Sequence, residues 1–513
     1  MKRILQVIMC VVVAAAWCGC EKNGNDVNNG SGTSGGSDNG GSSSSEYTTL
    51  NTGDDTSDLV ENETFTESLT ITWNGQTATV DGSVDGVSVT SENGYVSVTS
   101  TVKHVAYTLT GSGKGQLSVY STYKYRLNLS GLTLACSDGP AVNNQCKKSC
   151  YVVVSGENTL SDGSSYATSD EDRKAAFFSE GQLIFTGTGT LNITGNYKHA
   201  LASDDYIRFR EGVLNLTANA TDGMHTNDGI IVDGGVITIN AKNDGMQADT
   251  CSVVIRGGEV NITATDKGIW AYTHFYMTDG EVTVNAKDKG IKCYDAMTIA
   301  GGTLSVTSAS DEGIESKSTI DITGGYVYAK ASDDAINSGS HMTISGGYVM
   351  GYSTGNDGLD ANGNFYLNGG TVYAIGARSP EVGIDANTEK GFKAYINSGN
   401  LIAVNGIENG SQIAQTCYSA TVSTSSWYGL CAGGDVVVAF KPLSTSVVVT
   451  SKDCSLLSGV TTTGEAIWAG YGNTEASGGT SVSLTEYSDG QGFGGGGNPG
   501  GQGGGGGRPG GWH

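Results

Sequence analysis

One short phrase returns along the middle of the chain and fixes what it can fold into. It reads Asp222-Gly223-Met224, Asp244-Gly245-Met246, Asp266-Lys267-Gly268-Ile269, Asp288-Lys289-Gly290-Ile291, Asp311-Glu312-Gly313-Ile314, Asp333-Asp334-Ala335-Ile336 and Asp357-Gly358-Leu359. Measured on the small residue, and adding Gly383, the steps are 22, 23, 22, 23, 22, 23 and 25 residues. Each period holds three short apolar runs, such as the one around Met224, Ile230-Ile231-Val232 and Ile237-Thr238-Ile239, the last two parted by Gly234-Gly235. Three strands and three corners in so few residues suit a parallel β-helix, whose coils stack ~4.8 Å apart and pair backbone to backbone. A propeller blade needs about twice the period, and a leucine-rich repeat shows a Leu/Asn ladder that is missing here.

The fold class expected is therefore all-β. Composition agrees, with 79 Gly, 5 Pro and few helix-forming stretches. A formal net charge of -24 repels nucleic acid and anionic membrane surfaces, so no nucleic-acid partner is expected.

Outside the repeat the chain divides by composition. Residues 1–19 read as an export signal, with Lys2 and Arg3 ahead of an apolar run too short to span a bilayer. Cys20 follows Gly19 like the lipid-modified cysteine of a bacterial lipoprotein, although Trp17 stands where such boxes carry Leu. Residues 20–64 read as a lipid-anchored flexible linker. The β-helix is expected over 65–410, with an N-terminal cap and early coils at 65–180 and regular coils at 181–410. A β-rich cap at 411–487 is expected to cover the open end, with Trp427, Tyr428 and Trp468 available for it. A Gly-rich tail at 488–513 is expected to be disordered. Eight cysteines remain beyond Cys20; Cys136, Cys146 and Cys150, and Cys417, Cys431 and Cys454, are local candidates for pairing.

Strand alternation sends Met224, Met246, Ile269, Ile291, Ile314, Ile336, Leu359 and Ile384 inward as one stack, with a second stack of small residues two positions later. The acidic residues of the phrase then form a column at one corner. Like charges ~5 Å apart repel, and hard oxygen donors of this kind suit calcium (Ca2+) better than zinc. The metal ligands expected are Asp311, Glu312, Glu315, Asp333, Asp334, Asp357, Asp360 and Asp385. The plainer account is that Asp and Asn suit such corners and bond neighbouring amides. Outward aromatic residues, Trp270, Tyr272, Tyr294, Tyr326, Tyr328, Tyr348 and Tyr373, could stack on pyranose rings, or could simply be good strand residues. Lys292, with Lys267 and Lys289 beside the acidic column, is the candidate base for a proton abstraction; charge balance explains these lysines equally well. His199 and His225 sit at similar positions without forming a recognisable triad.

The stretches 126–134 (RLNLSGLTL), 137–142 (SDGPAV), 157–163 (ENTLSDG), 175–179 (AAFFS) and 358–362 (GLDAN) resemble the bacterial cell-surface carbohydrate-binding β-helix family, itself similar in fold to the calcium-dependent pectate lyases. The resemblance runs over roughly 65–487. It implies a right-handed parallel β-helix, bound calcium, and binding of plant-type polysaccharides such as cellulose or polygalacturonate without established catalysis. The sequence departs from that family at Lys198-His199-Ala200-Leu201, where the family carries Asp-Gly-Ile, and in residues 388–390, which extend the last coil. The expectation is a calcium-stabilised, surface-tethered polysaccharide-binding lipoprotein acting as a monomer, held by its lipid at the outer membrane. A calcium-dependent lyase on uronic-acid polymers and a structural adhesin are the alternatives.

Overall fold

The computed structural model describes residues 58–488, so Cys20, the signal, most of the linker and all but the first residue of the Gly-rich tail lie outside the described residues. A repeating unit is seen in Met224–Thr226, Ile230–Val232 and Val236–Ala241, three strands separated by tight corners. Each pairs in parallel with its counterpart one coil on. First strands of successive coils make a fourteen-stranded sheet, and the other two ladders run together in a thirty-stranded one. The long strand Tyr125–Ala135 shows how they merge: its first half pairs with Cys150–Ser155 and its last residues with Glu157–Ser161.

Two glycine positions make the tight corners possible. Gly235 has φ 74°, in the left-handed region that other residues avoid, and the same holds one or more coils on at Gly258, Gly302, Gly325, Gly347 and Gly370. In the phrase itself, a Cβ on Gly223 would lie 2.2 Å from Ile239 Cγ2 and 2.8 Å from the carbonyl oxygen of Gly245. The small residue is there because the next coil passes directly against it.

The inward aliphatic stack forms in the register expected, Met224 through Ile384, every member fully buried. Its smaller companion, Thr226, Ala248, Ala271, Cys293, Ser316, Ser338, Ala361 and Ala386, is buried beside it. Each full burial of a Leu- or Ile-sized chain stabilises by roughly 1.5–3 kcal/mol, so the stack alone gives every coil a reason to stay in register.

The ends differ from each other. At the N-terminal end, Thr77–Asp81 runs antiparallel to Glu67–Gly75, and Val87–Glu92 runs antiparallel to Tyr95–Ser100, which leaves only short edge strands. The other end is closed by Ser446–Thr450, antiparallel to Asn400–Val404, and by Ile407, Cys417, Val448 and Tyr487, which join the solenoid core. A six-stranded antiparallel sheet containing Tyr428–Ala432 and Asp435–Phe440 lies elsewhere, on the side of the solenoid. Trp468 and Tyr428 belong to that lateral contact rather than to the end plug, which corrects the role expected for them.

Two further expectations change. Residues 58–63, assigned to the linker, are pinned to coils far along the chain. Asp58 accepts from Arg208 Nη1 at 3.0 Å, and Glu61 takes both Arg210 nitrogens at 2.8 and 2.6 Å. None of the eight cysteines is in a disulfide and seven of them are buried, so they act here as small core residues.

Candidate functional site

Stacking sorts the residues flanking each aliphatic into two columns on one face. Backbone bonds fix the first: Ala200 N reaches the Asp222 carbonyl, Gly223 that of Asp244, Gly245 Lys267, Gly268 Lys289, Gly290 Glu312, Gly313 Asp334 and Ala335 Asp357. This column therefore reads His199, Asp222, Asp244, Lys267, Lys289, Glu312, Asp334, Asp357. The second lies on the strand: His225, Gln247, Trp270, Lys292, Glu315, Asn337, Asp360, Asp385. Asp266, Asp288, Asp311 and Asp333 precede the first column by one residue. The single acidic column expected from sequence is thus interrupted by lysines and ends in a histidine.

The amide-bonding role of the corner aspartates is real. Asp222 Oδ1 accepts from Asp244 N at 3.1 Å, Asp244 Oδ1 from Lys267 N at 2.8 Å, Asp334 Oδ1 from Asp357 N at 3.0 Å and Asp357 Oδ1 from Val382 N at 2.5 Å. One oxygen of each ties its coil to the next.

In the middle of the columns lysines neutralise the carboxylates. Glu315, 1% exposed, is met by Lys289 at 3.3 Å, by Lys292 at 3.9 Å and more closely by Lys317. Lys289 also binds Asp311 at 3.0 Å and Glu312. Burial pulls the Lys289 ammonium down, but hydrogen bonds to Glu312 and Asp311 outweigh it and hold the amine above its ordinary value. Asp311, Glu312 and Asp333 do bring carboxylate oxygens within 4.8 Å of one another, yet Lys289 already supplies a cation to two of them. Lys292 is likewise an ion-pair partner, with its ammonium 5.0 Å from the Tyr294 ring centre.

At the C-terminal end this compensation stops. Among the described residues no lysine or arginine pairs with Asp334, Asp357, Asp360 or Asp385. Asn337 Nδ2 bridges Asp334 Oδ2 at 2.9 Å and Asp360 Oδ2 at 2.7 Å, and Asp385 hydrogen-bonds Asp360. Burial first, and then neighbouring carboxylates, push Asp334 up to about 6, Asp360 up to about 7, and Asp357 and Asp385 up to about 8. Without a cation Asp357 and Asp385 keep their protons near neutrality.

The opposite end holds a group that sequence reading saw only as separate residues. His199 Nδ1 and His225 Nδ1 lie 2.9 and 3.1 Å from the same oxygen, Asp222 Oδ2, with the rings stacked at 4.2 Å. His225 Nε2 reaches Asp249 Oδ2 at 3.3 Å. Burial lowers His225, but its bonds to Asp222 and Asp249 outweigh that and raise it to about 9; burial, aided by the charge on His225, lowers His199. The signal was available: His199 occupies the place of an Asp in the preceding coil.

The aromatic residues separate into two sets. Trp270, Tyr272 and Tyr294 stand together on the two-column face, with Tyr294 5.6 Å from Tyr272 and 6.5 Å from Trp270, and Tyr294 45% exposed. Tyr326, Tyr328, Tyr348 and Tyr373 lie instead under the lateral sheet. Tyr373 is fully buried and Tyr328 8% exposed, while Tyr326 and Tyr348 stack at 5.4 Å and pack against the same cluster. Tyr328 and Tyr373 are core residues of a second hydrophobic layer, and Tyr326 and Tyr348 are half-buried against it.

No curated protein matches the chain. Among solved structures, that of the polysaccharide lyase-like protein from C. thermocellum, a gadolinium derivative, is similar at 23% identity, covering 45% of this chain and 97% of the other with a TM-score of 0.42. Residues 92–335 match the family described as Carbohydrate-binding domain-containing protein. That span takes in the early coils, the histidine group and the aromatic trio, and its solenoid is the architecture expected of a β-helix of that kind. Residues 92–335 of this chain are thus similar to a carbohydrate-binding domain family.

Proposed function

We propose that the protein binds polysaccharide on the two-column face without cleaving it, and that calcium at the acidic end stiffens that face. The observation that carries the binding reading is the placement of Trp270, Tyr272 and Tyr294, ring beside ring on a rigid ladder, with Tyr294 open to solvent. Aromatic faces of this kind stack on pyranose rings. Coils rise ~4.8 Å each, close to the length of one sugar in an extended glycan, so a chain lying along the columns would meet the same face rung after rung.

The donor set at Asp334, Asp357, Asp360 and Asp385 fits calcium: oxygen only, several carboxylates, and no lysine or arginine partner among the described residues. Asp311, Glu312 and Glu315 fit it less well because lysines already neutralise them. When bound, calcium supplies positive charge to which a uronate carboxylate could also attach. A lyase would need a free amine to take the proton, and Lys292 is engaged with Glu315; the non-catalytic reading is preferred for that reason. Cys20 would carry the lipid that holds the protein at the outer membrane, with plant-type glycan as the expected ligand.

A glycan array probed with and without calcium tests the binding reading. Retention of a plant-type polysaccharide that falls when chelator is added supports it, and no retention of any glycan would leave the structural adhesin. Release of unsaturated product from polygalacturonate would overturn the claim of binding only. Fatty-acid labelling in the bacterial host that persists after Cys20→Ser would remove the lipid anchor.

A further inference from the structure

We propose that His199, Asp222 and His225 form a site for one divalent transition ion of the zinc class, independent of the calcium reading. The three donor atoms come from adjacent coils and already converge: both Nδ1 atoms lie 2.9 and 3.1 Å from Asp222 Oδ2. Ligands held at about 2.0–2.1 Å from a zinc-like ion are separated by about 3 Å, so little movement is needed to admit one. Two nitrogens and one carboxylate are a borderline-soft set that favours such an ion over calcium.

The surroundings are those of a metal site rather than of a simple ion pair. Asp222 Oδ1 is occupied by Asn243 Nδ2 at 2.7 Å and by Asp244 N at 3.1 Å, which leaves Oδ2 as the oxygen facing both imidazoles. His225 Nε2 is met by Asp249, and Asp249 is itself held by Gln247 Nε2 at 2.7 Å. A carboxylate behind the far ring nitrogen is how metal-bound histidines are oriented. Thr221 Oγ1, 3.0 Å from His199 Nδ1, is a candidate fourth donor, and the Lys174 ammonium stands nearby, held by Asp204 at 2.6 Å.

Charge points the same way. One imidazolium would pair with Asp222, and the second imidazole aimed at the same oxygen is surplus to that. With Lys174 offset by Asp204 at 2.6 Å, Asp222 and Asp249 carry two negative charges, which one divalent ion between two neutral imidazoles balances. His199, Asp222 and His225 are each under a tenth exposed, so a small ion fits where a sugar does not. Joining residue 199 to residues 222 and 225, the ion would staple two coils together.

The test uses the full chain, freed of metal with chelator and dialysed against zinc chloride in excess calcium chloride. The expected result is one zinc retained per chain, lost in His199→Gln and in His225→Gln, and bound about 10- to 100-fold more weakly in Asp249→Asn. Cobalt chloride added to the unaltered chain should give visible bands of a nitrogen- and oxygen-ligated ion, a readout that needs no variant to fold. Zinc absent from the unaltered chain, or retained equally by the His199→Gln/His225→Gln double variant, would overturn the proposal.

Discussion

Tyr373 donates its hydroxyl hydrogen to the carbonyl oxygen of Lys441 at 3.2 Å, and Leu443 N returns a bond to the same hydroxyl at 3.0 Å. A residue of the solenoid is thereby fastened to the lateral sheet across 68 positions of sequence. Tyr373→Phe keeps the packing but removes two part-buried hydrogen bonds, at a cost of about 1–3 kcal/mol. Urea unfolding followed through the fluorescence of Trp468, which packs 6.0 Å from Tyr373, should show the loss. An unchanged midpoint would mean that water replaces the bond freely.

Stacking and packing tyrosines should respond in opposite ways. Tyr294→Ala removes a half-exposed ring and is expected to lower glycan retention by up to about tenfold, with stability changed by no more than about 0.5 kcal/mol. Tyr328→Ala should do the reverse, costing about 3–5 kcal/mol while retention is unchanged. Affinity electrophoresis in polysaccharide gels, run beside thermal melts, separates the two. Equal loss of binding in both variants would return the third-strand tyrosines to the ligand site.

Glu315 is the hub of the lysine cluster. Glu315→Gln keeps its shape but leaves the ammonium groups of Lys289, Lys292 and Lys317 facing a neutral amide. Breaking a buried pair from one side costs about 3–5 kcal/mol, and the chemical-denaturation midpoint should fall accordingly. A shift below about 1 kcal/mol would show that solvent reaches these charges.

The acidic end gives stability a distinctive dependence on pH. A carboxyl whose folded value is raised binds its proton more tightly folded than unfolded, so stability falls as pH rises between the two values. For Asp357 and Asp385 the window runs from the ordinary value near 4 to about 8. In chelator, Asp385→Asn, which removes one such group, should therefore melt higher than the parent at pH 8 and close to it at pH 4. Calcium should erase the parent's disadvantage. Melting curves that diverge from the variant's at low pH instead would reject the assignment.

The period and the inward stack were legible in the sequence because a solenoid core is written one residue per coil, and alternation settles which side each residue faces. Corner register was harder to read. Inserting Lys267 and Lys289 between Asp and Gly moves Asp266 and Asp288 out of the main column, and only the backbone bonds of successive coils reveal which residue stands on which. The third-strand tyrosines misled for another reason: they do point outward, but nothing local in residues 326–373 announces that a sheet more than 50 residues later will cover them. The attachment of Arg208 to Asp58 was hidden in the same way, since Asp58 sits in a stretch whose composition matches a linker.

The phrase also makes the molecule adjustable in whole steps. Excising the 22 residues 268–289 would join Lys267 to Gly290 and restore an unbroken Lys-Gly-Ile, with each neighbouring coil meeting a surface of the same shape. The histidine pair and the acidic end would then draw nearer by one rung, ~4.8 Å, and neither would be altered. Distance between the two ends of the columns is therefore a countable quantity, and this particular excision also takes Trp270 and Tyr272 out of the proposed glycan face.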